Sequence, residues 1–260
     1  MDYRKKETTV VVSQEEISDG IFDLRVKTEA AGYAKPGQFV GLFPPSDGHL
    51  LMRPISICES DAESKTLRMV YRIAGDGTKL LSGLKAGDNV EMLSLLGNGF
   101  PTGETVGKCI VLMGGGIGIP PMLGVSKSLQ EENVHAFLGY RNKDTFLSED
   151  FRKYANVHIA SEDGSVGVKG NVLDALAAES EIKPEIIMAC GPMPMLRAIK
   201  KYAEENQIIA YISLEERMAC GVGACLGCVA KTVNKDAHSH VNNTRICTEG
   251  PVFDAREVEI

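Results

Sequence analysis

Cys109-Ile110-Val111-Leu112-Met113-Gly114-Gly115-Gly116-Ile117-Gly118-Ile119-Pro120-Pro121 joins an apolar run to a glycine cluster and a pair of prolines. A short apolar run ending on a glycine cluster reads as a strand buried on both faces. A helical stretch follows, to about Gln130. A glycine-rich turn between strand and helix suits a dinucleotide pyrophosphate, because bare backbone lets the phosphates approach the helix N-terminus. The fit to G-x-G-x-x-G is imperfect. Counted from Gly114 the last glycine falls on Ile119, and counted from Gly116 it falls on Pro121.

The same alternation continues downstream. Strands are expected at Val134–Tyr140, Val157–Ser161, Glu185–Ala189 and Ile208–Leu214, with helices at Ser148–Tyr154, Asn171–Ala178 and Met193–Asn206. Strand and helix in turn predict a parallel sheet covered on both faces. Cys190-Gly191-Pro192 closes one of these strands. A free cysteine is most often a small buried hydrophobe, yet open α/β sheets bind ligands at such strand ends. After Tyr140, Arg141 and Lys143 offer cations for a 2′-phosphate and Asp144 a carboxylate for a ribose hydroxyl. Read as residues, these leave NAD, NADP and plain solvated loop charges all open.

The first hundred residues have another rhythm. Ile21–Lys27 alternates, with Phe22, Leu24 and Val26 on one face, the pattern of a half-buried strand. Further strands are expected at Thr8–Ser13, Gln38–Phe43, Met52–Cys58, Thr66–Ile73 and Asn89–Leu93, with a short helix at Thr78–Leu84. Short strands separated by Pro36-Gly37, Pro44-Pro45 and Gly75-Asp76-Gly77 predict a closed barrel or sandwich. Within it, Arg53-Pro54-Ile55-Ser56 offers a guanidinium fork, a stiff backbone and a hydroxyl. Val70-Tyr71-Arg72 adds a ring and a second cation, and Gly77-Thr78 opens a helix. Alone, Arg53 reads as a solvated edge residue; together the three segments suit a ring joined to a diphosphate.

Near the end stands Cys220-Gly221-Val222-Gly223-Ala224-Cys225-Leu226-Gly227-Cys228, answered by Cys247. C-x4-C-x2-C with a distant fourth cysteine is the plant-type spacing of a [2Fe–2S] cluster. The intervening glycines permit backbone angles that aim N–H groups at sulfur. Structural zinc favours a pair of C-x2-C knuckles, and only Cys225 and Cys228 form one. His238 and His240 bring Rieske-type ligation to mind, but four cysteines already complete a cluster, so Asn234–Thr244 reads as a polar loop.

Composition sets the outer limits. The 260 residues fit about two domains of roughly 100–200 residues each. A formal net charge of −7 and the lack of a long basic run argue against nucleic acid. The basic start Met1–Glu7 has no apolar core behind it, so no signal peptide is expected. No stretch nears the roughly 18 apolar residues of a membrane span. An odd 7 cysteines, with a clustered set, point to intracellular thiol and metal chemistry, hence a soluble, cytoplasmic protein without a membrane partner.

Arg53-Pro-x-Ser56, then Tyr71-Arg72, then Gly77-Thr78 resembles the flavin domain of the ferredoxin–NADP reductase superfamily. Gly114-Gly-Gly-Ile-Gly118-x-x-Pro121 and Cys190-Gly-Pro resemble its pyridine-nucleotide domain. The resemblance implies an antiparallel FAD-binding β-barrel over residues 1–101, a parallel-sheet α/β nucleotide domain over 102–212 and a small [2Fe–2S] domain over 213–260. It implies Arg53, Pro54, Ile55, Ser56, Val70, Tyr71, Arg72, Gly77 and Thr78 at FAD, with the Tyr71 side chain near the isoalloxazine. It also puts Gly114, Gly115, Gly116, Gly118, Pro120, Cys190, Gly191 and Pro192 at the nucleotide, and Cys220, Cys225, Cys228 and Cys247 on the cluster.

Over its whole length, and most specifically from Ser213 to Cys228 and at Gly250–Arg256, the chain resembles the electron-transfer subunits of the NAD-linked dihydroorotate dehydrogenase B family. That resemblance implies NAD as acceptor and a partner catalytic subunit with FMN that oxidises dihydroorotate, in a heterotetramer of two of each, serving pyrimidine biosynthesis. The chain itself shows no constellation for abstracting a proton from dihydroorotate. Two other readings stand beside it. One is the small subunit of a sulfide dehydrogenase or NADH-dependent ferredoxin–NADP reductase, whose cluster typically has Asp where Cys220 stands here. The other is a non-catalytic zinc-stabilised module.

Overall fold

The computed structural model describes residues 4–46, 48–103, 105–129, 133–235 and 240–260. Gln130, where the helix after Pro121 is expected to end, and His238 lie outside them. By packing, the chain forms two units: residues 1–99, 215–229 and 245–251, and residues 100–214, 230–244 and 252–260.

In the first unit β1 (Lys6–Ser18), β2 (Ile21–Lys27), β3 (Phe39–Leu42), β4 (Arg53–Asp61), β5 (Thr66–Arg72) and β6 (Asn89–Leu96) close an antiparallel barrel in the order β1-β2-β5-β4-β3-β6. Helix α1 (Asp76–Leu81) lies between β5 and β6. Alternation drives closure, since one face of each strand must be buried. Leu24, Val26, Val40, Leu42, Leu67, Met69 and Met92 meet inside, with Phe22 packed against them. β1 outruns its expected length because irregularities at Val11/Ser13 and Glu16/Ser18 let it bend and keep pairing with β2.

A buried ion network sits on this barrel. Arg68, 8% exposed, donates to Asp23 at 2.9 Å through Nε and to Glu59 at 2.6 Å through Nη1. Burial disfavours the charged guanidinium, but hydrogen bonds and charge from Asp23 and Glu59, with Cys58 nearby, more than offset it and keep the group protonated.

The second unit holds β7 (Ile110–Gly115), α2 (Ile119–Ser128), β8 (Val134–Tyr140), α3 (Ser148–Phe151), β9 (Asn156–Ser161), β10 (Val168–Lys169), α4 (Val172–Ala178), β11 (Ile186–Cys190), α5 (Met193–Asn206) and β12 (Ile209–Ser213). With β15 (Val252–Asp254) they build a sheet ordered β10-β9-β8-β7-β11-β12-β15, parallel except for β15 against β12. Helix α5 buries Leu196, Ile199 and Ala203 on one stripe and ends where Gln207 turns left-handed at φ 57. Lys200–Glu204 at 2.7 Å supports its outer face. A small sheet ordered β14 (Asn243–Arg245), β13 (Val229–Thr232) and β16 (Val258–Glu259) completes the fold. Among the described residues no helix is long and apolar enough to cross a membrane.

Candidate functional site: a two-pair thiol loop, a barrel cradle and a glycine crevice

The cysteine loop owes its shape to residues that tolerate a left-handed backbone. Gly221 and Gly223 have φ of 68° and 80°, and Leu226 joins them at 56°. Such turns point consecutive N–H groups inward. Val222 N and Cys225 N lie 3.5 and 3.4 Å from the Cys220 sulfur, and Gly227 N lies 3.4 Å from that of Cys225. These donors, led by Val222, pull the Cys220 thiol down to about 6. Cys247 goes the other way, to about 11, chiefly because it is buried, and next because of Cys228 beside it.

Cys220 neighbours Cys225 and Cys247 neighbours Cys228, and Cys247 also feels Cys220. Among the described residues no three His, Cys, Asp or Glu side chains gather as a cage for a single ion. Two pairs of thiols ringed by N–H donors fit a two-iron cluster, which takes four cysteines. Cys228 and Cys247 are buried while Cys225 is exposed, so the site has a dry edge and a wet edge. His240 is exposed.

This loop rests on the barrel. A Cβ on Gly221 would stand 2.3 Å from Met52 Cε, and one on Gly97 2.5 Å from Pro251 Cδ. Asn98 holds the segment after Cys247, donating from its backbone to Gly250 O at 2.6 Å and from its side chain to Glu249 O at 2.8 Å. The local sequence pattern gives no hint of the contacts of Met52 with Gly221, of Asn98 with Glu249 and Gly250, or of Arg245 with Gly223, whose partners are distant in the chain. Only the arginine two places before Cys247 stood close enough to a motif to be noticed.

The barrel brings Arg53 and Gly77 together. A Cβ on Gly77 would meet Arg53 Nε at 2.1 Å, so the guanidinium lies flat on the start of α1. Arg53 Nη1 is fixed on Leu51 O at 2.7 Å. The β4–β5 ladder reaches Ile57–Met69. Beyond it the two strands no longer pair with each other: Arg53–Ser56 pair with β3 and Val70–Arg72 with β2. Ser56 is half-buried and Arg72 exposed.

Three residues differ from their sequence reading in what they present. The Tyr71 ring points into the barrel core, 2% exposed, with its hydroxyl donating to Gln14 Oε1 at 2.9 Å. Tyr71 therefore offers a ligand its backbone and not its ring, because pairing with Phe22 fixes which side faces inward. Ile55 also faces the core. The Thr78 hydroxyl accepts from Ala74 N at 2.8 Å and donates to Gly75 O at 2.9 Å, bracing the turn into α1.

In the second unit the glycine turn and the Cys190 turn meet at the carboxyl ends of β7 and β11, where Gly114 pairs with Cys190. A Cβ on Gly118 would stand 2.3 Å from Cys190 O, and one on Gly191 2.5 Å from Met195 Cε. Gly115 is packed against Pro192 and Met195 in the same way. Gly116, at φ +52, faces open space. Pro120 is buried in the first turn of α2. Strands β8 to β10 run to one side of β7 and β11 to β12 to the other. That reversal makes the crevice the switch point where open α/β sheets bind ligands. Arg141, Lys143 and Asp144 lie in the exposed loop after β8.

Comparison with known proteins bears on all three. The iron–sulfur cluster binding domain of dihydroorotate dehydrogenase B matches residues 215–259, and the oxidoreductase NAD-binding domain matches residues 112–201. The dihydroorotate dehydrogenase B (NAD(+)) electron transfer subunit of Listeria monocytogenes is 41% identical over 254 residues, covering 96% of this chain and 97% of its own. The Bacillus velezensis subunit is 39% identical over 98% of this chain and 100% of its own.

The chain belongs to the family of dihydroorotate dehydrogenase B electron-transfer subunits.

As a member it is an oxidoreductase subunit with an iron–sulfur cluster binding domain and an NAD-binding domain. Its architecture also matches a chain of the NADH-dependent reduced ferredoxin-NADP oxidoreductase, with TM-score 0.83, 26% identity, and 96% of this chain and 89% of that one covered. A ferredoxin NADP+ reductase from Neisseria gonorrhoeae shares the fold at TM-score 0.64 and 15% identity, over 77% of this chain and 91% of its own.

Proposed function

We propose that this chain carries electrons from an FMN-bearing catalytic partner, which oxidises dihydroorotate, to NAD in pyrimidine biosynthesis in the cytoplasm. The two chains form a heterotetramer of two of each. Residues 1–101 hold FAD, 102–212 hold NAD and 213–260 hold a [2Fe–2S] cluster. Bound FAD supplies the exchange between one-electron chemistry at a cluster and two-electron hydride chemistry at nicotinamide.

The chain's own residues bind, orient and shield. Arg53 lies over the start of α1 and is placed to take a pyrophosphate, with Ser56, Arg72 and the backbone at Pro54, Ile55, Val70, Tyr71, Gly77 and Thr78 completing the cradle. Gly114, Gly115, Gly116, Gly118 and Pro120 let a nucleotide come against backbone, and Cys190, Gly191 and Pro192 close the crevice beside it. Cys220, Cys225, Cys228 and Cys247 ligate the cluster while loop N–H groups donate to their sulfurs. The observation that carries the reading is the set of N–H groups aimed at the paired thiols of a loop packed on the barrel.

The partner is supported by the apolar surface beside that loop. Leu50, Leu51, Val222 and Leu226 are 81%, 52%, 48% and 64% exposed. Leu50 and Leu51 precede Met52, which touches Gly221. Apolar surface of this kind is covered by partners. The test is turnover of the separated and combined subunits. The chain alone is expected to oxidise NADH with artificial acceptors and to leave dihydroorotate untouched. Dihydroorotate oxidation by this chain alone would refute the division of labour.

A further inference from the structure

Arg245 joins parts of the cysteine site that no motif connects. Its backbone N and side-chain Nε donate to Glu249 Oε2 at 2.8 and 2.9 Å, and its Nη2 reaches Glu249 Oε1. That grip leaves Nη1, which donates to Gly223 O at 3.1 Å. Gly223 lies in the loop of the first three cysteines, and its own N–H points at the Cys247 sulfur. The carbonyl of Arg245 meanwhile accepts from Thr248 N and Glu249 N at 3.2 and 2.9 Å, closing the turn around Cys247. Asn98 anchors Glu249 and Gly250 to the barrel. A continuous tie thus runs from the barrel through Glu249 and Arg245 to Gly223 and back to a sulfur.

The loop needs such a tie. Gly221 and Gly223 are left-handed glycines, which lose the most freedom on ordering. A Cβ on Gly223 would stand 2.9 Å from Thr248 Cγ2 and 3.3 Å from Arg245 Nη1, so the segments are in direct contact there. The guanidinium also brings positive charge to the neighbourhood of Cys228 and Cys247. A cation beside thiolates favours the more negative, reduced state of whatever they hold.

We propose that Arg245 is a positioning residue for the cluster: it straps the loop of Cys220, Cys225 and Cys228 to the turn of Cys247, and its charge raises the cluster's reduction potential. The proposal rests on the cluster reading above and adds to it the residue that sets retention and potential. Arg245 is no ligand. It acts through Gly223, whose N–H it holds on sulfur, and through its charge. The two actions separate by substitution, because Lys keeps the charge but lacks the planar fork that grips Glu249 and Gly223 at once.

The test uses the full chain purified without air, in parent, Arg245→Gln, Arg245→Lys and Glu249→Gln forms. Each is read for iron content, electron paramagnetic resonance of the reduced state, midpoint potential and the rate of iron loss to a chelator. Arg245→Gln is expected to lose iron about 10–100-fold faster, as loss of outer support to a metal site does, and to shift the potential negative. Arg245→Lys is expected to lose iron faster at near-parental potential. Glu249→Gln loosens the fork and removes the anion that offsets the cation, so it is expected to lose iron faster with the potential shifted positive, and it serves where Arg245→Gln does not fold. Parental iron retention, resonance and potential in Arg245→Gln and Glu249→Gln would overturn the role of Arg245 and leave the cluster reading standing. A parent chain without a two-iron cluster would overturn both.

Discussion

Gly118 and Cys190 touch backbone to backbone: a Cβ on Gly118 would lie 2.3 Å from the Cys190 carbonyl oxygen and 2.4 Å from its carbon. No rotamer change relieves a clash with main chain. Gly118→Ala is therefore expected to push the glycine turn off the end of β11, at a cost of about 1–3 kcal/mol. NADH affinity should fall roughly tenfold or more, since 1.4 kcal/mol is a factor of ten. Calorimetric or fluorescence titration with NADH checks this, with the parental visible spectrum as a control for folding of the other unit.

The contact of Arg53 with Gly77 has a different remedy, because the atoms met at 2.1 and 2.4 Å belong to a flexible side chain. Arg53→Met is expected to weaken FAD binding about 10–100-fold, the worth of about 1.5–3 kcal/mol for hydrogen bonds to a charged group. Gly77→Ala should fall between parent and Arg53→Met, since the guanidinium can be displaced but not kept in place. The flavin-to-protein ratio after gel filtration measures both.

Arg68 is the structural cation of the barrel. Asp23 Oδ1 is buried without a hydrogen-bond partner among the described residues, so that carboxylate leans on Arg68 through its other oxygen, at 2.7 Å from Nη2. Arg68→Met should destabilise the barrel by about 3–5 kcal/mol, because it takes from the Asp23 and Glu59 carboxylates the buried cation they share. Adding Asp23→Leu should restore much of the loss, and thermal melts of the single and double variants test both statements.

Much of this architecture can be read from residues close together in the chain. The alternation of Phe22, Leu24 and Val26 marks a barrel strand, and the limits of α5 coincide with the expected Met193–Asn206. What escaped depends on partners far apart. The inward ring of Tyr71 is fixed by Phe22 across a ladder and by Gln14, 57 positions away. Strand β15 joins the parallel sheet antiparallel to β12, a pairing that no local pattern announces. The residues that follow Leu214 divide between the two packing units, because contacts with barrel or sheet, and not sequence adjacency, decide where each segment rests.

A pair of histidines on β8 and β9 gives a pH dependence. His135 Nδ1 and His158 Nε2 are 3.2 Å apart, and His158 Nδ1 faces Glu179 at 3.2 Å. His135 also meets Asn133 Oδ1 at 3.0 Å. Cys109, Glu181 and Lys183 line the same cavity. Burial, and then the neighbouring His158, hold the His135 imidazolium below its ordinary range, with Glu179 opposing. The unfolded chain then binds more protons below about pH 6.5, so stability falls as pH drops from there through the lowered folded value. His135→Gln should flatten that fall. Melting temperatures of both forms at pH 5.5 and 7.5 decide it.

Anaerobic titration of the purified chain with NADH, followed in the visible with iron, zinc and flavin counted on the same sample, decides whether one chain joins a two-iron cluster, FAD and NAD. The expected result is two irons and one FAD per chain, with flavin bands over a broad iron–sulfur envelope that both bleach as NADH is added. A colourless chain holding zinc, or a flavin that bleaches over an iron–sulfur envelope that never does, would contradict it.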